Sequence, residues 1–365
     1  MSVEVGAIVI VEAHSWSDKS PSRSSATEID GARRFVEGPL AFVDLLGRSL
    51  LELTIERLIA ANVKVTSLII HPEVVAQMPV FRGAFGNLSV RVADEVWSAV
   101  AQILENYSRN NIGCAFVVKP NAYAETDFLD LVDFHLQGQR SVTRASDQQG
   151  PIDLWIMNCD VAREKDISPL TTALMQPDFF PASYFVKEYV KRIESPADFR
   201  HLVIDAFSQR CNLQPLGEQV RPGVWVDKGA EIQRGARVVG PAYLGARCTV
   251  GETALITRFS NLERGSYIDY GTAIEDSSIL PNTYVGIWLD VRHSVVHANK
   301  LLHIEHGVMV EISDPILLRS NVAGPKPVSS VSAIPVASRE AHKSPPQKHR
   351  FANIRSVNAR TEFES

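Results

Sequence analysis

The chain has 365 residues, 45% of them hydrophobic and 22% charged, with a formal charge of -5 and an isoelectric point near 6.1. That length exceeds what one core usually serves, so two globular domains are expected, and the mild acidity argues against a general nucleic-acid surface. Cys114, Cys159, Cys211 and Cys248 are scattered without CxxC spacing, which points to reduced thiols in a cytoplasmic chain rather than a disulfide frame or a zinc site.

The opening MSVEVGAIVIVEA holds an apolar run with no basic flank and no 18 consecutive apolar residues. It reads as a buried strand, not as a signal peptide or membrane span. Residues 14–36 are dense in Ser, Asp and Gly and read as a surface loop. Leu50, Leu51, Ile55, Leu58 and Ile59 then mark an amphipathic helix, followed by the strand VTSLII. A second helix, EVWSAVAQILENY, carries Val96, Val100, Ile103 and Leu104 on one face, and GCAFVV follows as another buried strand. Strand and helix in alternation predict a mostly parallel sheet with helices on both faces.

Ligands of such sheets sit beyond the carboxyl ends of the strands. This places Glu12, His14, Lys119, Asn121 and Asp127 at a predicted cleft mouth. Lys119 would meet a phosphate as a point charge, and Asn121 would hydrogen-bond a sugar hydroxyl or a base. Solvation of Lys119 and a helix-capping role for Asp127 are the plainer readings of the same residues. Walker A and GxGxxG patterns are absent, so neither a P-loop nucleotidase nor a dinucleotide-binding dehydrogenase is supported.

The order VGAIVIVEA, GPLAFVDLLGRSLLELTIERLIAANV, VWSAVAQILENY and CAFVVKPNAYAETDFLDLVDFH resembles the sugar-nucleotide pyrophosphorylase (nucleotidyltransferase) family, over about residues 3 to 210. The resemblance implies an α/β nucleotidyltransferase-like (GT-A/Rossmann-like) domain over residues 1–210. It also implies an activity that joins a sugar 1-phosphate to a nucleoside triphosphate and releases pyrophosphate, with Mg²⁺. Where the family has a glycine-rich loop with an arginine, this chain has Glu12, Ala13, His14 and Ser15. Its Lys-Pro falls on Gly38-Pro39, and its metal-binding Gly-Asp falls on Asn121-Ala122. Mg²⁺ favours anionic oxygen ligands, which neither Asn121 nor Ala122 supplies. The expectation is therefore a divergent member, in carbohydrate or cell-surface polysaccharide metabolism, that binds a nucleotide sugar or sugar phosphate with weak or no catalysis. An active enzyme would need Mg²⁺ in a rebuilt metal site on Asp127 or Asp160.

Residues Tyr184 to Gln209 read as two bridging helices, broken at SPAD. Beyond them Val220, Val226, Ile232, Val238, Leu244, Val250, Ile256, Leu262, Ile268, Ile274 and Leu280 recur every sixth residue. Small residues from Ala230 to Ser278 stand two places before nine of them. Three hexads close a coil of 18 residues, aliphatic inside and small at the corners, and stacked coils build a continuous core. The pattern predicts a left-handed parallel β-helix over residues 215–318 and a flexible tail over 319–365. The repeat is interrupted near Gly286, where Val285 comes five residues after Leu280, is restored to six at Val291, and can be followed further from Val296 through Leu302 to Val308. Trp225, Tyr243, Tyr267, Tyr270, Tyr284 and Trp288 fall off the inward column, predicting a homo-oligomer that associates through this region. Histidines crowd its end, and a histidine-based hexapeptide acyltransferase using His297 and His306 is the remaining alternative. No nucleic-acid or membrane partner is expected.

Overall fold

The computed structural model describes residues 3–12, 35–36, 38–78, 87–160 and 183–321, all within one compact unit that ends at Gly324. Of the surface loop expected at 14–36, residues 14–34 lie outside the described residues, as does the tail from 322, while Phe35 and Val36 are buried in a core cluster instead of lying on the surface. Strands of the first layer are β1 (Val5–Val11), β2 (Val65–Ile70), β3 (Leu88–Val92), β4 (Cys114–Val118), β5 (Ala122–Ala124), β6 (Val142–Asp147), β7 (Gly150–Asn158), β8 (Ser183–Phe185) and β9 (Val190–Arg192). The helices are α1 (Leu50–Ala60), α2 (Val96–Arg109), α3 (Phe128–Gln137) and α4 (Pro196–Phe207).

β1 lies beside the central strand, β4, of a seven-stranded mixed sheet ordered β8-β6-β7-β4-β1-β2-β3. It pairs in parallel with β2 and β4, and β3 extends the parallel part beyond β2. The apolar run of β1 is buried on both faces. Val9 and Val11 join the α1 side with Leu51, Ile55 and Leu58, while Ile8 and Ile10 join the α2 side with Val100 and Leu104. A Ser49–Glu52 capping box starts α1 and satisfies amides that the first helical turn leaves unpaired.

Two expectations change here. β7 runs antiparallel to β4, which reverses the direction of the strand leading to Asp160. The first of the two bridging helices is instead two short strands: β8 pairs with β6, and β9 with β5. Pairing partners distant in sequence override a local pattern that alone looked helical. The second bridging helix is present as α4, opened by a Ser195–Asp198 capping box with Pro196 in its first turn.

The repeat region consists of many short strands on three sheets, paired in parallel for most of their length, and is compatible with a β-helix. Val224 pairs with Ala242 and Ala242 with Ser260, an advance of 18 residues per coil. Ile232, Val250 and Ile268 are likewise in one register. Leu244, Val250, Ile256, Leu262, Ile268 and Ile274 are fully buried. Backbones at Arg247, Thr253, Phe259, Gly265 and Gly271 turn with positive φ at every sixth position. Small residues between them do more than make room. The hydroxyls of Ser260, Ser266, Thr272 and Ser277 each donate to a backbone carbonyl fourteen residues on, tying one coil to the next.

The inward column departs from strict sixes. The five-residue step expected between Leu280 and Val285 comes instead at Ile274 to Ile279, so Ile279 pairs with Leu262 and fills the interior. Leu280 turns outward into a core shared with α4. Val220 and Ile232 are 49% and 44% exposed, because the first coil has no coil before it. Parallel stacking ends with strand Ser294–His297: Lys300–His303 and Val308–Glu311 follow it antiparallel, so Leu302 and Val308 do not continue the column. Leu318–Ser320 is a strand too, antiparallel to Thr283–Val285, where the tail was expected to begin.

The two layers share a core. Phe199, Leu202, Val203 and Phe207 of α4 pack with Leu45, Leu46, Tyr243, Leu280 and Val295. Tyr243 is fully buried there and Trp225 stacks on Phe207 at 5.8 Å, so these two aromatics are covered by their own chain rather than by a partner. Buried Arg200 crosses the contact, donating to the Phe259 carbonyl and pairing with Asp276.

Candidate binding cleft

The carboxyl ends of β1 and β4 carry Glu12 and Lys119, whose Oε1 and Nζ lie 2.8 Å apart. Lys119 Nζ also sits 5.5 Å from the Trp97 ring centroid. Because β7 is antiparallel, the start of that strand brings Asp153 to the same end of the sheet. Asp153 accepts from Asn121 Nδ2 at 2.6 Å and from Arg144 at 3.1 Å. The structure thus brings together Glu12, Lys119, Asn121 and Asp153. His14 lies outside the described residues.

A shallow, open cleft runs from this group between β4, β5 and α1. Leu50, Leu53, Val118, Phe128, Ile152 and Leu154 form an apolar wall, with Thr54, Arg57, Lys119, Asn121, Thr126 and Asp153 among its polar residues. Arg57 reaches from α1 to the Ala124 carbonyl and lies over the Tyr123 ring. Burial lowers its pKa, opposed by Tyr123 and Glu125. Glu125 is itself engaged by the Tyr123 hydroxyl at 2.9 Å and by Asn212. Thr126 is only 5% exposed, and its hydroxyl has no hydrogen-bond partner. Most buried hydroxyls find a partner, so this one is an unsatisfied donor and acceptor, itself buried, in a residue that lines the cleft.

Sequence reasoning missed Arg57, Thr126 and Asp153. A charged residue in the middle of an otherwise amphipathic helix, ELTIERLIA, was the one local signal for Arg57. Thr126 and Asp153 carried none, since only folding brings β7 beside β4.

The acids proposed for a metal are placed apart. Asp127 is the N-cap of α3, and its Oδ1 accepts from the amides of Leu129 and Asp130 at 3.0 and 3.1 Å. Asp160 is exposed just past Asn158, which pairs with Cys114 at the amino end of β4, so it lies at the opposite end of the sheet from the cleft. Among the described residues no group of three or more His, Cys, Asp or Glu side chains is placed to hold a metal.

His297 and His306 are not brought together either. Strand Lys300–His303 separates them: His297 pairs with Lys300 at one end, and His306 follows the other end and stacks on His303 at 4.5 Å. Burial, with Lys300 nearby, pushes the His297 imidazole down to about 4, well below the range suited to a general base at neutral pH.

No protein-family model matches the chain, and no curated protein matches it. Among the described residues no helix is long and apolar enough to cross a membrane.

Proposed function

We propose that the chain is a divergent sugar-nucleotide pyrophosphorylase-like protein, an α/β nucleotidyltransferase-like layer followed by a left-handed parallel β-helix. In this reading it binds a nucleotide sugar or sugar phosphate in the cleft, with weak or no catalysis. The observation that carries it is that Arg57 and Thr126, whose buried hydroxyl has no partner, both line a cleft at the carboxyl ends of the strands. A guanidinium suits phosphate oxygens and a free hydroxyl suits a sugar hydroxyl. The neighbouring carboxylates are committed within the chain: Glu12 to Lys119, Asp153 to Asn121 and Arg144, Asp127 to α3. Phosphoryl transfer brings several negative charges together and needs a metal held by free acids, which favours binding over catalysis here.

Calorimetric titration with UDP-glucose, GDP-mannose and their parent nucleotides, with and without Mg²⁺, tests the reading. The expected result is metal-independent heat, weakened about tenfold by Thr126→Val and more by Arg57→Ala, since a hydrogen bond to a charged group is the stronger. Absence of heat and of any thermal shift with all four ligand classes overturns it. Pyrophosphate release that Asp127→Asn abolishes would replace it with the active enzyme.

A further inference from the structure

The strand Val308–Glu311 is the last of the eight-stranded side of the repeat region, and among the described residues nothing pairs with its outer edge. Within the chain it pairs antiparallel with Lys300–His303, Leu301 opposite Val310 and His303 opposite Val308. Ile312 donates its amide to the Asn299 carbonyl on that inner side. By the alternation of an antiparallel ladder, Val308 and Val310 also turn their backbone groups inward, and Met309 and Glu311 turn theirs outward. Val308 and Val310 share a face and are 50% and 45% exposed.

Other free edges of this region carry features that discourage pairing. Glu218–Arg221 has a register break between Gln219 and Arg221 and a charge at each end. Asp290 and Arg292 flank Val291, and Arg237 stands on the first strand of the same sheet. Charges and bulges of this kind blunt edges, whereas Val308–Glu311 has no bulge and one charge, at its last residue.

We propose that this edge is where a second copy of the chain docks, strand to strand about a two-fold axis through Val310. The edge is self-complementary in that register. Met309 and Glu311 each exchange both outward backbone bonds with the partner's Glu311 and Met309. Val310 then meets the partner's Val310, and Val308 meets the partner's Ile312, all on one face because their spacing is even. Glu311 enters with Asn299 Nδ2 of its own chain 3.3 Å away and Lys300 opposite it, so no uncompensated acid is brought to the axis. The dimer would close, and closure by an isologous contact leaves no edge for a third copy.

Sedimentation and thiol cross-linking of the full chain test this. The wild type should sediment at twice 40.3 kDa at micromolar concentration, and Val310→Lys at 40.3 kDa with an unchanged circular dichroism spectrum. The native cysteines are all buried, so a cross-link made by a mild thiol oxidant reports the introduced thiol. Val310→Cys should give a dimer on a non-reducing gel and Val308→Cys should not, because only position 310 faces its own copy at the about 4.5 Å Cα spacing of a non-hydrogen-bonded pair. A wild type that sediments as a single chain overturns the proposal. So does a dimer that survives Val310→Lys while Val310→Cys fails to cross-link.

Discussion

The repeat stack and the α/β layer solve the burial problem in opposite ways. In the stack each residue meets its counterpart one coil on, so Ile232, Val250 and Ile268 form a column dictated by local spacing. In the layer, the neighbours of one strand come from far along the chain: β4 lies between β1 and β7, about 110 residues before it and 35 after it. A period can therefore be read directly as position in the stack, while the composition of the cleft depends on which distant strands meet. That difference also separates tolerance to mutation. A column residue has no freedom to move without disturbing the coils above and below, whereas the polar groups of the cleft are held by replaceable pairs.

Val250→Asp is the strongest test of that contrast. Val250 is fully buried in the column, and an unpaired carboxylate there should remove more than about 4 kcal/mol, enough to unfold the chain. Equilibrium denaturation showing a midpoint near that of the wild type would mean that the column is not a continuous core.

The boundary between the two regions should respond to pH. Glu263 is wholly buried at the contact, accepting from the amides of Leu46 and Gly47 and from Asn261 Nδ2, with Asp44 close by and paired to Arg264. Burial, then the Asp44 charge, raise its carboxyl from 4.5 to about 8 against the pull of those donors. The folded state then holds the proton more tightly than the unfolded one, so this contribution is full below pH 4.5 and is lost as pH rises through 8. His297, lowered from 6.5 to about 4, acts oppositely: its contribution is present above pH 6.5 and is lost as pH falls toward 4. His135, also lowered by burial, acts in the same direction as His297. The histidines oppose Glu263 between pH 4.5 and 6.5, and from 6.5 to 8 the Glu263 contribution sets the slope. Stability should fall by about 2 kcal/mol from pH 6.5 to 8. Glu263→Gln should abolish that fall and unmask the rise below 6.5. Denaturation midpoints from pH 5 to 9 measure both, and an unchanged slope in the variant would assign the pH dependence elsewhere.

Asp127→Ala is the smallest effect and sharpens the reading of the cleft. Losing the α3 cap should cost about 1 kcal/mol by thermal denaturation, with nucleotide-sugar binding unchanged. A variant of normal stability that no longer binds would make Asp127 a ligand contact and not a cap.

Much of the stack was legible because its rule is local. Aliphatic residues at sixes and small residues two places before them anticipated the columns, the 18-residue coil and the small corners. That a five-residue step occurs here was legible from Val285. Its place at Ile274 to Ile279 was not, since Leu280 suits the period equally well, and in the fold it turns outward into the core shared with α4. Trp225 and Tyr243 left the inward column as expected, yet which surface covers them was a matter of how α4 docks.

For the cleft, the sequence by itself determined that β1 and β4 are buried strands with Glu12, Lys119 and Asn121 just beyond them, because long apolar runs leave few other conformations open. The tertiary structure alone decided that β7 runs antiparallel, which carries Asp153 to those residues and Asp160 away from them. It also placed Arg57 and Thr126 on one wall. Strand order and direction are set by the summed burial of the whole sheet, a quantity no local window of residues contains.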